Sequence, residues 1–496
     1  MRKQAVTAFA SLVLLGFACA LTVPGVLVRN VRQPAVAGSF YPQDREELQK
    51  TVDDLLGRAS PAALEGPLVA LIAPHAGYTY SGPVAAYSYA ALKGRKFQRV
   101  VVIAPSHYES FAYSSVYNGD AYVTPLGTIP VDREFAGKLA KLKSSIELSG
   151  SGHIPSPDRK EHALEVQLPF LQRTLGKFEL VPIVMGDQSY EKSRALGVAL
   201  AQLIREDDTL IVASSDLSHF HPYDEATALD RKTLHALQDW DYLSLSRNFE
   251  ARIWEACGGG PIVAAMIAAE RLGANKAQLL TYANSGDVTS DRSRVVGYGA
   301  VALVRVPARP MSQPHEPSLQ LSQQKQLLEL ARKSVETAVR ESRRYDPPWP
   351  ESQAFLQERS VFVTLRKGGE LRGCIGDVSG AKPLYLAVRD AAVLAALRDP
   401  RFPPVTSDEL RDLDYEISVL SPFRRVSDVE QIRIGPHGLL LKKGDNEGLL
   451  LPQVPTEQNW NRRTFLEQTA LKAGLDPHDW QDADADLFFF SAQVFR

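Results

Sequence analysis

The chain has few cysteines for its length. Only three occur in 496 residues, at positions 19, 257 and 374. Thiols so few and so far apart exclude a disulfide framework and a zinc site closed by thiolates alone. Any cysteine with a chemical role must therefore act singly, together with other residue types.

The composition also lacks a dominant charge. Fifty-six basic and 58 acidic residues leave a formal net charge of −2, so nucleic acid is not expected as a partner. No nucleotide-cofactor motif is evident. With 44% hydrophobic and 23% charged residues, the chain is typical of globular rather than disordered or fibrous proteins. Its length exceeds what one core supports and predicts two or more domains.

The N-terminal stretch has no charge over residues 4–28, after Arg2 and Lys3. Small residues at 18–20 have the spacing of a signal-peptidase site. We predict that residues 1–28 are an export signal cleaved after Ala20 or, if uncleaved, a membrane anchor. The residues before Cys19 match a lipidation motif poorly, and a cytoplasmic location is the alternative.

Three apolar runs in the first half, at 68–73, 100–104 and 210–213, each lead into a polar turn that contains histidine. Continuous Val, Ile and Leu runs are typical of strands buried on both faces, and ligands bind at the carboxyl ends of such strands. We therefore expect three imidazoles at one sheet edge, and imidazole is a common metal ligand. A separate structural role for each is the alternative. The histidines are His75, His107 and His219.

An anionic partner for these imidazoles is available in two places. Asp216 lies close to His219 in the chain, and Cys257 is followed by three glycines and by Pro261, which is expected to open a helix. The dipole of that helix is expected to lower the pKa of the thiol. A buried, inert cysteine is the alternative.

Alternating strands and helices over residues 33–306 predict an α/β domain with a largely parallel sheet. One helix is expected to begin at Glu161, with Asp158 in capping-box register. Residues 307–320 are rich in proline and are interpreted as a linker. Residues 321–496 mix strands and helices in the manner of an α+β domain.

The first half resembles Memo-like proteins over about residues 33–305. The resemblance implies the fold of the catalytic subunit of class III extradiol dioxygenases, with a cysteine replacing the carboxylate of a two-histidine site. It gives His75, His107 and Cys257 as metal ligands and makes Asp216 and His219 catalytic pocket groups, with His219 as the acid or base. Five motifs carry it in the family's order and spacing: 73–82, 104–107, 161–169, 214–219 and 257–258.

Two positions depart from the family pattern. Tyr108 follows His107 where relatives often have a second histidine, and Gln167 stands where a histidine occurs. Neither change affects the implied ligands. Nearby polar residues are expected to hold the ligands by hydrogen bonds, a solvated helix start being the alternative. They are Glu161, His162 and Glu165.

Two imidazoles and one anion on one face of a metal leave positions open for substrate and dioxygen, as in non-haem iron oxygenases. A thiolate is softer than a carboxylate and also suits copper, so Fe(II) or Cu is expected. The favoured function is a metal-dependent oxidoreductase of extradiol type. A metal-binding or redox module without turnover and a metal-free ligand- or partner-binding protein are the alternatives.

A serine hydrolase is a further class to consider, because Ser214 and Ser215 lie close to Asp216 and His219 in the sequence. No G-x-S-x-G motif is present, and members of a catalytic triad are normally far apart in sequence. We therefore do not favour this class.

The second half resembles AMMECR domains from about residue 327 to the end, on the stretches 371–376, 399–404, 415–421, 450–454 and 472–475. The family implies no established reaction. Cys374, between Gly373 and Gly376, is expected in a turn near the guanidinium of Arg372, which would favour the thiolate. A purely structural turn is the alternative. Arg401 and Glu416 are expected to join the same pocket, or to form structural ion pairs.

Memo-like and AMMECR-like proteins are linked with a radical SAM protein in the AmmeMemoRadiSam system, and this chain resembles the first two components fused. It lacks the C-x-x-x-C-x-x-C triplet that binds a radical SAM cluster. The resemblance therefore implies a separate radical SAM partner. The two pockets are expected to serve one pathway, with a small molecule or peptide as ligand.

Overall fold

The computed structural model describes residues 30–205, 207–307 and 319–496. The expected export signal at 1–28 and most of the expected linker at 307–320 lie outside these residues. Within the described part, no helix is both long enough and apolar enough to cross a bilayer.

The first half alternates strands with helices along the chain. Its strands are β1 (Val31–Arg32), β2 (Leu68–Ala73), β3 (Arg99–Pro105), β4 (Ser114–Tyr117), β5 (Ala121–Thr124), β6 (Gly127–Pro130), β7 (Ile146–Ser149), β8 (Glu179–Met185), β9 (Thr209–Ser214), β10 (His219–His221), β11 (Lys276–Asn284) and β12 (Val295–Val304). Its helices are α1 (Arg45–Arg58), α2 (Tyr78–Ala90), α3 (Arg133–Ala140), α4 (Leu168–Leu175), α5 (Tyr190–Leu203), α6 (Tyr223–Gln238), α7 (Tyr242–Glu250), α8 (Gly259–Arg271) and α9 (Ser285–Thr289).

The central sheet of the first half has mixed strand direction. Its order is β10-β12-β2-β9-β3-β8-β4-β7, with β11 also paired to β12, and a small sheet β1-β5-β6 lies apart. Strands β2, β9, β3 and β8 are parallel, whereas β12 is antiparallel to β2 and β4 is antiparallel to β8. The expected α/β domain is confirmed, but the largely parallel sheet is corrected to a mixed one. The segment between β11 and β12 is too short for the crossover that a parallel pairing of these two strands requires.

The strands at the middle of the sheet are buried on both faces. All six residues of β2 and of β9 are buried. In β3, Val101 and Ile103 pack in the core on the side of α5 and α8, while Val100 and Val102 pack on the side of α1 and α2. This explains why the strands are continuous apolar runs, as expected from the sequence.

The strand order brings the histidine-bearing turns together. Strand β9 lies between β2 and β3, with Ala73 opposite Ser214 and Ile103 opposite Ala213. Because the three strands are parallel, the turns that follow them emerge at one edge. The expected meeting of these turns is therefore observed.

The helix expected at Glu161 begins later. A 3-10 turn spans Glu165–Gln167 and α4 follows it. Asp158 is exposed and makes no capping hydrogen bond with the described residues. The Glu161 carboxylate instead accepts the backbone N–H groups of residues 107, 162 and 163, which keeps this stretch out of a helix.

The second half is an α+β unit, as expected. Its helices are α10 (Leu321–Glu341), α11 (Gln353–Leu356), α12 (Leu384–Leu397), α13 (Gln453–Glu457) and α14 (Arg462–Lys472). Its strands are β13 (Val361–Lys367), β14 (Glu370–Asp377), β15 (Leu413–Leu420), β16 (Arg424–Arg425), β17 (Gly438–Lys443), β18 (Asn446–Leu450), β19 (Asp486–Phe490) and β20 (Ala492–Phe495). They form two antiparallel sheets, β14-β13-β15-β20 and β16-β19-β17-β18.

The two halves share one hydrophobic core. Phe423, Phe488 and Phe490 of the second half belong to the same buried cluster as the residues of α5, α7 and α8. At its edge, the buried Asp486 carboxylate accepts hydrogen bonds from Tyr190 and Arg194. The halves are therefore joined by packed apolar surface and by a buried charge cluster.

Replacing Asp486 by asparagine is expected to lower the free energy of unfolding by about 3 kcal/mol or more, since breaking a buried ion pair from one side costs roughly that much. Burial raises the pKa of Asp486, but Arg194 and Arg271 outweigh it and lower the pKa. The contribution is therefore present above about pH 3.9, the unfolded carboxyl pKa, and is lost as the pH falls through the lower folded pKa. Urea unfolding of the unmodified chain and of the variant at several pH values measures this contribution to the free energy of unfolding.

The matched control is Asp484→Asn, because this carboxylate is 62% exposed and lies 4.0 Å from Lys443. An exposed pair contributes about 0–1 kcal/mol. Equal destabilisation by the two substitutions would contradict a special role for Asp486.

Candidate metal centre

His75 follows β2 and is almost fully buried, with 1% of its surface exposed. Its backbone N–H donates to Asp216 Oδ1 over 2.7 Å. In the ring, Nδ1 lies 2.9 Å from Ser214 Oγ and Nε2 lies 3.0 Å from Cys257 Sγ. Both the main chain and the ring of His75 are thus held in place.

The hydrogen bonds of Ser214 determine which ring nitrogen of His75 carries the proton. The Ser214 hydroxyl donates its one proton to the Ala163 carbonyl over 2.6 Å and accepts a hydrogen bond from Gln167 Nε2 over 2.7 Å. It can therefore only accept from His75, so Nδ1 carries the hydrogen. The lone pair of Nε2 points to Cys257. Burial, followed by the nearby His107, holds the pKa of His75 well below its usual range, consistent with a neutral ring.

Glu161 forms hydrogen bonds with both the ring and the main chain of His107. The two oxygens of this carboxylate lie 3.0 Å from His107 Nδ1 and 2.6 Å from the His107 backbone nitrogen. Burial lowers the pKa of His107, but the hydrogen bond and charge of Glu161 outweigh it and raise the pKa. Burial conversely raises the pKa of Glu161, and His107 outweighs it, bringing that pKa to about 2. Glu161 thus positions both the ring and the main chain of His107.

Cys257 lies just before α8, and its Sγ accepts the backbone N–H of Asp216 over 3.3 Å. Burial and then the Asp216 carboxylate raise the pKa of the thiol. The expectation that the helix dipole lowers this pKa is wrong, because desolvation is the larger effect. A bound cation would reverse the balance, since a coordinating thiol is deprotonated by the metal.

The ligand atoms of His75, His107 and Cys257 all lie within 4.8 Å of one another. Atoms that ligate one ion at about 2.0–2.3 Å lie at most about 4.6 Å apart, so small side-chain adjustments would bring these atoms to ligation distances. The donor set also fits, because each imidazole presents a nitrogen that its neighbours do not use. These three residues can therefore hold a metal ion.

His162 provides a third imidazole beside this group. Its ring stacks on that of His107 with centroids 4.8 Å apart and packs against Phe40. Its Nδ1 is buried and has no hydrogen-bond partner among the described residues. Together with His107 and Glu161, it forms a second group whose ligand atoms lie within 4.8 Å of one another. His162 is thus a candidate additional ligand, and not only a residue that could support the ligands by hydrogen bonds.

Asp216 and His219 occupy different positions relative to the ligands. Asp216 is buried and accepts the backbone N–H groups of His75 and Ala76, and burial raises its pKa. His219 begins β10, and its backbone N–H donates to Glu255. Its ring nitrogens make no hydrogen bond with the described residues. His219 contributes to the electrostatics of both His75 and Asp216, so its ring lies near the centre without joining the ligand group.

The geometry removes the serine-hydrolase alternative. Ser214 is fully buried, and its hydroxyl proton is donated to a carbonyl. The Ser215 hydroxyl donates to the Asp216 carbonyl. Within the described residues, no serine is hydrogen-bonded to His219, so no nucleophile is paired with that base.

Glu165 supports the centre only indirectly. It is fully buried and accepts hydrogen bonds from Arg32 Nη1 over 2.5 Å and from the Tyr41 hydroxyl. Arg32 in turn donates to the Glu161 carbonyl over 2.7 Å. The buried ion pair thus positions the backbone of Glu161. Nothing in the sequence around Arg32 indicated this contact, which spans more than a hundred residues.

Gln167 is another residue whose role the sequence did not show. In the sequence, Gln167 is only a departure from the family pattern. In the structure, its Nε2 donates to Ser214 and to the Pro74 carbonyl. Its Oε1 accepts the Tyr89 hydroxyl over 2.5 Å. The one signal in the sequence was a polar amide side chain within an otherwise apolar stretch at the start of a helix.

The candidate residues of the second half are arranged differently from the expectation. Cys374 lies within β14 opposite Thr364, not in a turn, and the Thr364 hydroxyl donates to its Sγ over 3.3 Å. Arg372 forms a two-pronged ion pair with Glu409 instead of facing the thiol. Burial raises the pKa of Cys374. The expectation that Arg372 favours the thiolate is therefore wrong.

Arg401 and Glu416 both form ion pairs. Arg401 pairs with Asp399 and donates to the Cys374 carbonyl over 3.1 Å, so it touches the backbone of Cys374. Glu416 is 2% exposed and accepts hydrogen bonds from Gln453 and Arg496. It lies across β13 from Cys374, since both pair with Thr364. The geometry favours the structural interpretation of both side chains.

Comparison with known proteins agrees with the two halves. A family model described as Memo-like protein matches residues 32–302, and one described as AMMECR1 matches residues 328–495. A MEMO1 family protein of Nitrosopumilus maritimus is 35% identical over 279 residues, which are 55% of this chain and 100% of that protein. A MEMO1 family protein of Aeropyrum pernix is 41% identical over 288 residues, covering 55% and 99%. The crystal structure of the uncharacterized protein PH0010 from Pyrococcus horikoshii is 38% identical, covers 34% of this chain and 88% of its own, and has a TM-score of 0.33.

The Ser214→Ala substitution tests whether the hydrogen bond between His75 Nδ1 and Ser214 supports metal binding. It removes the acceptor for Nδ1–H, so we expect the affinity for a divalent metal to fall about 10–100-fold, as is usual when a partner behind a metal ligand is lost. Competition with a chromogenic chelator measures the affinity. Ser115→Ala is the matched control, because Ser115 is equally buried and its hydroxyl has no partner among the described residues. Equal affinities in the two variants would contradict the assignment.

Proposed function

This chain belongs to the Memo-like family through residues 32–302, and from that premise we propose that it binds a redox-active transition metal, Fe(II) or Cu, for oxidoreductase chemistry of extradiol-dioxygenase type. The proposed ligands are His75, His107 and Cys257. The mixed α/β domain that carries them has its parallel strands directed at the proposed centre.

One observation carries the proposal. The Nδ1 atoms of both histidines are engaged, by Ser214 and by Glu161, so the remaining donor of each ring is Nε2. His75 Nε2 lies 3.0 Å from Cys257 Sγ, and a ligand atom of each of the three residues lies within 4.8 Å of the other two. Fixing one nitrogen of an imidazole by a hydrogen bond to free the other is the usual arrangement around a protein-bound metal.

The donor set supports iron or copper. Imidazole suits both metals, and a thiolate favours the softer states, Cu(I) in particular. A metal bound by these three residues would offer its remaining positions to substrate and dioxygen. His75 is buried whereas His107 is exposed, so one side of the site is open to solvent. Asp216 holds the main chain of His75 in place.

We assign the proton-transfer role to His219. Its ring is half-buried, and neither nitrogen makes a hydrogen bond with the described residues. It stands beside the ligand group without belonging to it. Asp216 is assigned a positioning role, because its carboxylate accepts two backbone N–H groups of the turn after β2.

A metal-binding or redox module without turnover is the second candidate function. The observation that favours it is His162, whose ring stacks on His107 and whose buried Nδ1 has no hydrogen-bond partner in the part of the chain that the structure describes. A third imidazole would fill part of the coordination sphere and leave less room for substrate. Dioxygen consumption distinguishes the two functions.

We also propose that a separate radical SAM protein acts with this chain, on a small molecule or a peptide. The support is the joining of a Memo-like half and an AMMECR1-like half in one polypeptide.

Metal analysis of the anaerobically purified full chain tests the proposal. We expect about one Fe or Cu ion per chain, and we expect His75→Ala and Cys257→Ala each to weaken binding by at least about 100-fold, because each removes a direct ligand. Elemental analysis and equilibrium dialysis measure this. Oxygen-electrode traces with catechol-like compounds then separate an oxygenase from a non-catalytic module.

The matched controls are His478→Ala, an exposed histidine of the second half, and Cys374→Ala. Both should bind metal as the unmodified chain does. Full metal binding by both His75→Ala and Cys257→Ala would rule out the proposed centre.

A further inference from the structure

A cavity of about 450 Å³ lies between the two halves of the chain. One wall is made by α6, the turn after it and Trp254. The other wall is made by residues 356–360, 379–383 and 420–422. Small-molecule sites have volumes of about 300–1,000 Å³ and often lie at domain interfaces. Because both halves line it, neither half alone contains this cavity.

The walls of the cavity are tied to each other across the interface. Lys232 Nζ lies 2.6 Å from Glu358 Oε1, with the Glu358 side chain 14% exposed. Asn248 Nδ2 donates to the Ser379 carbonyl over 2.9 Å. Leu420 belongs to the core that both halves share. The cavity is thus a built feature of the fold rather than a gap between loosely placed domains.

The lining contains an apolar surface with one unused donor. Trp254 is 6% exposed, and its indole Nε1 makes no hydrogen bond of normal geometry with the described residues. Its nearest acceptor is Glu358, whose pKa is raised by burial, with Lys232 and the indole opposing that rise. A buried indole N–H without a full partner is costly and indicates an acceptor that a ligand would supply. The apolar residues around it are Ala236, Leu356, Pro383, Leu420 and Pro422.

Most of the free charges of the lining are positive. Arg231 makes no ion pair with the described residues, and the side chain of Arg359 donates only to the neutral Gln357. Two of the three acidic residues are engaged, because Glu358 pairs with Lys232 and Asp241 caps α7 through Ser244. The third, Asp239, lies 4.0 Å from the exposed His235 and its side chain is 37% exposed. Two guanidinium groups therefore remain to receive an anion, and arginine suits carboxylate and phosphate oxygens.

From this juxtaposition of an apolar wall, an unpartnered indole N–H and two unpaired guanidinium groups, we propose that the cavity between the halves binds a small amphipathic anion. Such a ligand has an apolar body about the size of one or two rings and one acidic group. The apolar wall takes the body, and Arg231 and Arg359 take the acidic group. This site is separate from the metal centre and does not require metal.

Anilinonaphthalene sulfonate, an aromatic anion whose fluorescence rises on burial, is a suitable probe for the full chain. We expect saturable binding of about one molecule per chain, measured by fluorescence and by calorimetry. The double variant Arg231→Gln/Arg359→Gln should bind the probe at least about tenfold more weakly, since it loses charge-assisted hydrogen bonds. Ala236→Phe should reduce binding by filling the cavity, with its thermal unfolding compared with that of the unmodified chain.

The matched control is Arg343→Gln/Arg411→Gln, which neutralises two exposed arginines outside the cavity and should leave binding unchanged. Two results would overturn the proposal: no saturable binding of the probe by the unmodified chain, or binding of equal strength in Arg231→Gln/Arg359→Gln and in the control. Neither result depends on whether the protein binds metal.

Discussion

The rest of the candidate centre depends on the hydrogen bonds that the Nδ1 atoms of His75 and His107 make. Ser214 fixes the proton on one ring and Glu161 engages the other, so both Nε2 atoms remain as donors. The holding groups come from the end of β9 and from the loop before α4. The correct donors are therefore presented only when the sheet order and that loop are both in place, which links metal binding to the fold.

Much of this arrangement could be predicted from the sequence, for a physical reason. Strands buried on both faces must be continuous apolar runs, so the ends of β2, β3 and β9 and the polar turns after them were visible. The residues offered Cys257 as one of two anionic partners, and the family resemblance singled it out as a ligand. The start of α4 was misplaced because capping signals are local, whereas Glu161 is used by His107, 54 residues away. The sheet was expected to be largely parallel because strand direction depends on the connections between strands rather than on the composition of each strand.

Long-range pairing also explains the errors in the second half. Arg372 stands two residues from Cys374 in the chain, but Glu409 outcompetes the thiol as its partner. The sequence did not indicate that Asp486 is buried, because aspartate side chains are usually exposed. In the fold it balances arginines of the other half. The same packing creates the cavity between the halves, so the fusion of the two units has consequences that neither unit shows alone.

The central claim is that two imidazoles and one thiolate bind a single metal ion. X-ray absorption spectroscopy of the metal-loaded full chain tests it most directly, because sulfur and nitrogen scatterers are resolved by distance. The account predicts one sulfur at about 2.3 Å together with imidazole nitrogens at about 2.0–2.1 Å, and loss of the sulfur contribution in Cys257→Ala. A metal environment with only nitrogen and oxygen ligands, unchanged in Cys257→Ala, would contradict it.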